Sequence, residues 1–316
     1  MYFPISGVEV SPWIPLLVAF GVSFFTSMGG VSGAFLILPF QVSVLHFDTP
    51  AVSPTNQLFN VVAIPSGVYR YIREGRMAWP LVLAVIIGTL PGVLIGAFVR
   101  VELLPDPDTF KLFVGIVLLY MGIRLLQDVL KKRKPGTGAS AEEQFHKLVM
   151  EYHARSKQHS SNSDKLPRVV TKEFNFKRIS YEFYGQSFDV STPAIMGLSF
   201  IVGLIGGVYG IGGGAIIAPF FVSFLGLPVY TIAGATLMGT FVTSVVGVLF
   251  YQAIEPLYPD VSVAPDWALG LLFGVGGFAG MYLGARFQKF MPARVIKWIL
   301  AFCILFTAIK YITDFI

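Results

Sequence analysis

The stretch YGIGGGAIIAP, from Tyr209 to Pro219, places four glycines and one proline in a run of apolar residues. No Asp, Glu, Lys, Arg or His occurs between Val190 and Ile254. This uncharged segment is long enough to cross a lipid bilayer more than once, since one spanning helix needs about 20 apolar residues. Glycine clusters occur in phosphate-binding loops of soluble proteins and also in interrupted membrane helices. The rest of the sequence decides between these two interpretations.

The composition identifies a membrane protein. The chain has 316 residues, of which 54% are hydrophobic and 13% charged, whereas a soluble domain has about 25% charged residues. The segment Val10–Leu45 also lacks ionisable side chains. The net charge of +5 comes from residues 131–190, which carry 12 Lys or Arg and 7 Asp or Glu. The sequence therefore predicts an all-α polytopic membrane protein in contact with the lipid bilayer, and it gives no support to nucleic-acid binding.

The chain contains an internal duplication, because four blocks of its first half match four blocks of its second half in the same order. The matched pairs are Gly30–Phe40 with Gly210–Phe220, Ser53–Val61 with Gly234–Val242, Gly88–Ala97 with Gly274–Ala285, and Ile123–Asp128 with Ile309–Asp314. The first pair repeats the glycine turn, so each half contains one turn. The chain is thus divided into a first transmembrane repeat (1–130), a basic linker (131–190) and a second transmembrane repeat (191–316).

The charges of the loops predict how the repeats are oriented. Lys and Arg are enriched in the cytoplasmic loops of membrane proteins. The loop that contains Arg70, Arg73 and Arg76 is basic, whereas its counterpart Glu255–Asp266 is acidic and has no Lys or Arg. Equivalent loops therefore face opposite sides, which predicts two inverted repeats of about five helical segments each in the cytoplasmic membrane. The same rule places the linker, residues 131–190, in the cytoplasm.

The soluble interpretation of the glycine stretch fails. Gly210–Ala215 fits the G-x-G-x-x-A form of the dinucleotide-binding fingerprint, which also needs a preceding strand and an acidic residue about 20 positions later. No acidic residue lies between Asp189 and Glu255, and the matching turn has Ser32 where the second glycine should be. The sequence therefore excludes a Rossmann-type nucleotide site.

The membrane interpretation has a physical basis. Glycine permits backbone conformations closed to other residues, and irregular backbone persists in a bilayer only where it is buried in protein or lines a wet cavity. The segments Ala34–Leu45 and Ala215–Leu225 would begin as half-helices, whose free N–H groups attract anions. Many secondary transporters build their substrate site from two such ends. The broken or re-entrant helices at the glycine turns are thus predicted to form a site for a small anion.

Other glycines are better explained by close packing of helices, because they recur at small-xxx-small spacing. These packing glycines are Gly88, Gly92, Gly96, Gly203, Gly207, Gly276, Gly280 and Gly284.

Few polar residues accompany the turns. Asn56 and Asn60 share a helix face and, with Gln57, are costly to bury, so either interhelical hydrogen bonds or substrate contacts must satisfy them. The alternative for each Ser or Thr is a hydrogen bond to its own helix. The candidate substrate-binding residues are Gly30, Ser32, Gly33, Thr55, Asn56, Asn60, Tyr209, Gly210, Gly212, Gly213, Gly214, Thr236 and Thr240.

These features resemble the sulfite exporter TauE/SafE family of permeases. The resemblance is carried by GGVSGAFLILP and YGIGGGAIIAP, by Thr55-Asn56 and Ala235-Thr236, and by the ends Ile95–Ala97 and Leu283–Ala285. It implies a transporter of sulfite, sulfonates or related sulfur-containing anions across the cytoplasmic membrane. It gives weight to Gly30, Gly33, Pro39, Gly210, Gly212, Gly213 and Pro219. The chain departs from the all-glycine pattern at Ser32 and Ala34.

The sequence therefore predicts a secondary transporter that exports a small sulfur-containing oxyanion by alternating access, with no cofactor and no metal site. A passive anion channel is one alternative. A membrane enzyme or scaffold is another, although the sequence shows no convergent acid–base or metal-binding set. The oligomeric state stays open, a homodimer included.

Two further segments give expectations. His46 is a candidate proton handle, because histidine is the side chain type that changes charge near neutral pH; a surface role is the alternative. Phe174–Phe188 alternates apolar and polar residues in places, which predicts either a small hairpin or a segment on the membrane surface.

Overall fold

The computed structural model describes residues 1–28, 32–130, 168–214, 216–225, 227, 229–287 and 293–315. The first half contains α1 (Trp13–Met28), α2 (Ala34–Ser43), α3 (Val52–Ala63), α4 (Pro65–Arg73), α5 (Trp79–Glu102) and α6 (Pro107–Leu130). The second half contains α7 (Thr192–Tyr209), α8 (Ile217–Leu225), α9 (Val229–Ile254), α10 (Trp267–Phe287) and α11 (Ala293–Thr313). Gly30 and most of the predicted linker lie outside the described residues.

The helices confirm the predicted class of a polytopic helical membrane protein. Among the described residues, five helices are long and apolar enough to cross a membrane, within α5, α6, α7, α9 and α10. The predicted five segments per half correspond to six helices in the first half. There α3 and α4 are separated at Ile64, because Pro65 has no N–H to continue the helix from the carbonyl of Val61.

Two small antiparallel sheets accompany the helices. One is an N-terminal hairpin of β1 (Tyr2–Phe3) and β2 (Val8–Glu9) that the sequence analysis did not predict. The other contains β3 (Val170–Phe174), β4 (Arg178–Phe183) and β5 (Gln186–Ser191) in the order β3-β4-β5. The β4–β5 connection is a tight turn in which Tyr184 and Gly185 have φ of 51° and 74°. The predicted hairpin at Phe174–Phe188 is therefore confirmed.

The three-stranded sheet packs against the helices at one end of the bundle. Tyr181 of β4 is fully buried, and its hydroxyl donates a hydrogen bond to Thr231 Oγ1 of α9 at 3.2 Å. Burial raises the pKa of Tyr181 to about 12, so the phenol stays protonated. The Val169 N–H donates to the Gly75 carbonyl at 3.0 Å, which attaches the same sheet to the α4–α5 loop.

The N-terminal hairpin, the loop before α3 and the loop before α10 meet at one end of the bundle. The N-terminal hairpin contacts the loop before α10, because Ser6 Oγ donates to Asp266 Oδ2 at 2.8 Å. The Ala51 N–H donates to the Ser262 carbonyl at 3.0 Å, which adds the loop before α3. This end includes the acidic loop Glu255–Asp266, whose outward position stays a prediction.

The packing role of the regularly spaced glycines is confirmed. A Cβ placed on Gly88 of α5 would lie 2.7 Å from the Met196 carbonyl oxygen of α7, and one on Gly203 would lie 2.8 Å from Thr89 Cα. A Cβ on Gly280 of α10 would collide with the Phe20 carbonyl oxygen of α1. The two pairs, α5 with α7 and α1 with α10, therefore approach each other backbone to backbone.

These pairs link the two halves. The first helix of each half packs on the glycine-rich helix of the other half, and α6 packs on α11. Such an exchange of partners is what a two-fold relation between the halves produces. The inversion of one half relative to the membrane stays a prediction.

Candidate functional site

The second glycine turn requires glycine at two positions. The α7 helix ends at Tyr209 and α8 begins at Ile217. Between them Gly210 has φ of 80° and Gly212 has φ of 76°, both in the left-handed region that other residues rarely adopt. The chain therefore reverses here because these two residues have no Cβ.

The same turn is tightly enclosed by neighbouring helices. A Cβ on Gly210 would lie 2.5 Å from Ser53 Cα, one on Gly213 would lie 2.6 Å from Thr89 Cβ, and one on Gly214 would lie 2.8 Å from the backbone N of Thr240. These glycines thus have a packing role whether or not they also contact a ligand. A bulky substitution there tests folding as well as transport.

Two asparagines of α3 join the two glycine turns. The Asn56 amide nitrogen donates to the Ala34 carbonyl at 3.0 Å and to the Gly210 carbonyl at 3.1 Å. The Asn60 amide nitrogen donates to the Ile211 carbonyl at 2.9 Å, while its oxygen accepts from Ser32 Oγ at 2.6 Å. The sequence analysis left open whether interhelical bonds or substrate satisfy these amides. Hydrogen bonds to other segments of the chain use the amide nitrogens of Asn56 and Asn60 and the amide oxygen of Asn60.

Each turn has one hydroxyl that accepts a backbone hydrogen bond. The Ala34 N–H, at the start of α2, donates to Ser32 Oγ at 3.3 Å. The Gly213 N–H donates to Thr243 Oγ1 at 3.1 Å. Both half-helices that follow are short: α2 and α8 rise only about 15 Å, half of the hydrocarbon thickness of a bilayer. The positive ends of their dipoles therefore lie at the turns.

The hydroxyl of Tyr209, in the second half of the chain, forms a hydrogen bond with α2 of the first half. It donates to the Phe35 carbonyl of α2 at 2.8 Å. Phe35 lacks its usual helical partner because the residue four positions later is Pro39, which has no N–H. Tyr209 thus supplies the hydrogen-bond donor that the Phe35 carbonyl lacks because of Pro39. The proton of its hydroxyl is therefore already used in a hydrogen bond within the protein.

This contact gives a testable prediction. Replacing Tyr209 with Phe should lower stability by about 1–3 kcal/mol, because the buried Phe35 carbonyl loses its donor. The effect should shrink in a Pro39→Ala background, where an N–H of α2 becomes available. The thermal melts of the purified single and double variants measure this coupling. Equal effects of Tyr209→Phe in both backgrounds would contradict it, and Tyr282→Phe, at an exposed tyrosine of α10, is the control.

Of the remaining candidate residues, Gly33 lies at the first turn, Thr55 lies at the loop before α10, and Thr236 and Thr240 lie on α9. Gly33 packs close to Ser23, whose Oγ would lie 3.1 Å from a Cβ on Gly33. Thr55 accepts a hydrogen bond from the Asp266 N–H at 2.8 Å and so lies at the loop before α10. Thr236 and Thr240 donate to carbonyls of their own helix, at 3.1 and 2.9 Å.

His46 lies at the opposite end of α2 from the glycine turn and is exposed. It borders a cavity of about 200 Å³ between the ends of α2, α6 and α11. The charged side chains that line the same cavity are Asp108, Lys111, Lys310 and Asp314. The structure therefore does not bring His46 next to the paired turns.

Several fully buried polar atoms near the turns have no hydrogen-bond partner among the residues that the structure describes. They belong to the side chains of Ser23, Gln57 and Ser244, together with Asn56 Oδ1. Ser244 Oγ would lie 2.7 Å from a Cβ on Gly212, and the Gln57 nitrogen would lie 2.8 Å from a Cβ on Gly247, one turn further along α9. Buried polar groups usually have partners, so these atoms are available to a ligand.

The candidate list from the sequence omitted these three side chains. Gln57 and Ser244 lie in the same polar segments as the chosen residues, so the polar composition of those segments already indicated them. Ser23 gave none, since a single hydroxyl in an apolar helix usually bonds to its own backbone.

Comparison with known proteins gives one family and one relative. A family model described as "Sulfite exporter TauE/SafE" matches residues 15–311. A protein named "Probable membrane transporter protein YunE" from Bacillus subtilis (strain 168) is 23% identical over 282 residues, which cover 87% of each chain. No solved structure matches the chain.

Proposed function

The chain belongs to the sulfite exporter TauE/SafE family of membrane transporters, and from that premise we propose that it carries a small sulfur-containing oxyanion, such as sulfite or an organosulfonate. The anion binds between the two glycine turns and is exposed alternately to each side of the cytoplasmic membrane, with export as the net direction. The family description and the name of the relative both point to transport rather than catalysis.

One observation carries this proposal: the two glycine turns meet at α3, and unpartnered buried polar groups surround the junction. Asn56 and Asn60 hold the backbones of both turns together. The side chains of Gln57 and Ser244 keep donors that no other described residue pairs with. The half-helices α2 and α8 add the positive ends of their dipoles, and an oxyanion is the ligand that such donors and dipoles favour.

The absence of acidic residues supports an anion rather than a cation as substrate. No Asp or Glu occurs in the sequence between Glu9 and Asp48, or between Asp189 and Glu255, and these segments contain both glycine turns. A cation site in a membrane normally contains carboxylates or converging carbonyls. Here the Gly210 and Ile211 carbonyls are already bonded to asparagines.

The test is transport by the purified full chain in proteoliposomes, with sulfite, sulfate, thiosulfate, taurine and sulfoacetate as candidate substrates. We expect saturable flux of at least one of them, and acceleration when the opposite compartment is preloaded with the same anion. Flux without such exchange would instead indicate a passive channel. If none of these anions moves and none shifts the thermal melt, the proposed substrate class is wrong.

Gln57 provides a sharper prediction. Replacing Gln57 with Leu should reduce transport about 10-fold or more, since a hydrogen-bond donor to a charged ligand is lost. The melting temperature should not fall, because the amide has no hydrogen-bond partner within the described part of the chain. Gln41→Leu is the matched control: Gln41 is equally buried and unpartnered, but lies near the other end of α2. Equal transport by both variants would remove Gln57 from the site.

A further inference from the structure

Arg100, near the end of α5, is fully buried although it carries a permanent positive charge. Its guanidinium lies over the ring of Phe110, 3.8 Å from the centroid. Its Nη1 donates to the Leu104 carbonyl, an interaction that caps the end of α5. The Nε and Nη2 atoms have no hydrogen-bond partner among the described residues.

The acidic residues closest to Arg100 in sequence hydrogen-bond to other groups, although Asp106 lies within electrostatic range of the guanidinium. Glu102 accepts a hydrogen bond from the Tyr258 hydroxyl. Asp106 accepts the Thr109 N–H at 2.9 Å and so caps the start of α6. No described carboxylate forms an ion pair with Arg100. A buried charge whose donors are unpaired is strongly disfavoured, and ionisable side chains kept inside a membrane protein usually mark a ligand path.

The position of Arg100 relates it to the second glycine turn. A Cβ on Gly96 would lie 2.8 Å from the backbone N of Val208, two residues before Gly210. Arg100 follows one helical turn after Gly96, on the same face of α5. It therefore lies one layer beyond the turn, towards the side predicted to face outward.

Tyr251 of α9 forms the connection between this layer and the turn. Its side chain packs with Ala97 and Val101 of α5, which precede and follow Arg100. It also lies within electrostatic range of the guanidinium. Its hydroxyl donates to the Gly207 carbonyl, just before the turn.

The free edge of Arg100 matches an oxyanion. The Nε–H bond and one Nη2–H bond point in parallel from the same edge of the planar guanidinium, an arrangement that binds two oxygens of one anion. We propose that Arg100 is a second binding position for the transported oxyanion, which it holds through this edge on the outward side of the second glycine turn. This inference rests on the proposed function, because the anion assigned to this edge is the proposed substrate.

The test compares sulfite flux at increasing sulfite concentration for the wild type, Arg100→Lys and Arg100→Gln in proteoliposomes. The apparent KM should rise roughly 10- to 100-fold in Arg100→Gln, because charge-assisted hydrogen bonds are lost. Arg100→Lys should show a smaller rise, because Lys keeps the charge without the planar edge. Arg124→Gln, in which an arginine beside Tyr120 near the other end of α6 is removed, should keep the wild-type KM.

The outcomes separate this inference from the proposed function. If wild-type protein moves no sulfur oxyanion, the proposed function fails first. If wild-type protein moves sulfite and both folded Arg100 variants keep the wild-type KM, Arg100 is only a helix cap and the inference is overturned. Should Arg100→Gln fail to fold, Arg100→Lys decides alone, since it retains the buried charge.

Discussion

Replacing Gly203 of α7 with alanine is expected to destabilise the protein, because the added methyl group collides with the backbone of α5. The added Cβ would lie 2.8 Å from Thr89 Cα and closer still to the Thr89 carbonyl oxygen. Backbone atoms of α5 cannot move aside as a side chain can, so the two helices must separate. Overpacking of this kind costs about 1–3 kcal/mol and sometimes more.

Gly197 is the matched control on the same helix. A Cβ on Gly197 meets no atom within 4 Å, so Gly197→Ala should leave the melting temperature unchanged or raise it, since alanine favours helix over glycine by about 1 kcal/mol. The thermal melts of the two purified variants give the comparison directly. Similar melts would mean that α5 and α7 do not approach each other backbone to backbone.

Replacing Asn60 with leucine is expected to abolish most transport and also to destabilise the fold. Leucine is close in size but leaves the Ser32 hydroxyl and the Ile211 carbonyl without their partner. Each buried group left unpaired costs about 1–3 kcal/mol. Because these bonds join the glycine turns of the two halves, their loss should also separate the elements of the candidate site.

The measurements are the melting temperature and the sulfite flux of Asn60→Leu, with Gln41→Leu as the control. Both positions are fully buried amides, but the Gln41 side chain has no partner to lose. Gln41→Leu should therefore keep both stability and flux. A stable, active Asn60→Leu protein would show that the turns are held together without this residue.

Much of the fold could be predicted from the sequence. Charge-free segments such as Val190–Ile254 indicate membrane helices because the bilayer excludes unpaired charge. The spacing of Gly88, Gly92 and Gly96 indicates a close helix contact, since only small residues permit it. Those predictions depend on local composition and are confirmed by the packing of α5 on α7.

The partners of the polar residues could not be predicted in this way. Asn60, Gln57 and Gln41 are all buried amides in apolar surroundings, yet only Asn60 has both of its amide groups paired. Which of them is bonded depends on backbone carbonyls from distant parts of the chain. Arg100 was missed for a similar reason: at the end of a span it resembles an interfacial residue, and only the packing of Phe110 and its neighbours buries it.

The sequence by itself determined that this protein is a polytopic membrane protein, and it predicted two matching halves that each contain a glycine turn. Hydrophobicity, charge and glycine spacing are local properties, so no partner needs to be known. Only the tertiary structure decided that Asn56 and Asn60 connect the two turns and that the Tyr209 hydroxyl donates to the Phe35 carbonyl, which Pro39 leaves without a helical donor. It also decided that Arg100 is buried with Nε and Nη2 unpaired among the described residues. These contacts join residues more than 100 positions apart or depend on the groups that surround a side chain. The residue type alone therefore does not show whether a buried polar side chain is hydrogen-bonded.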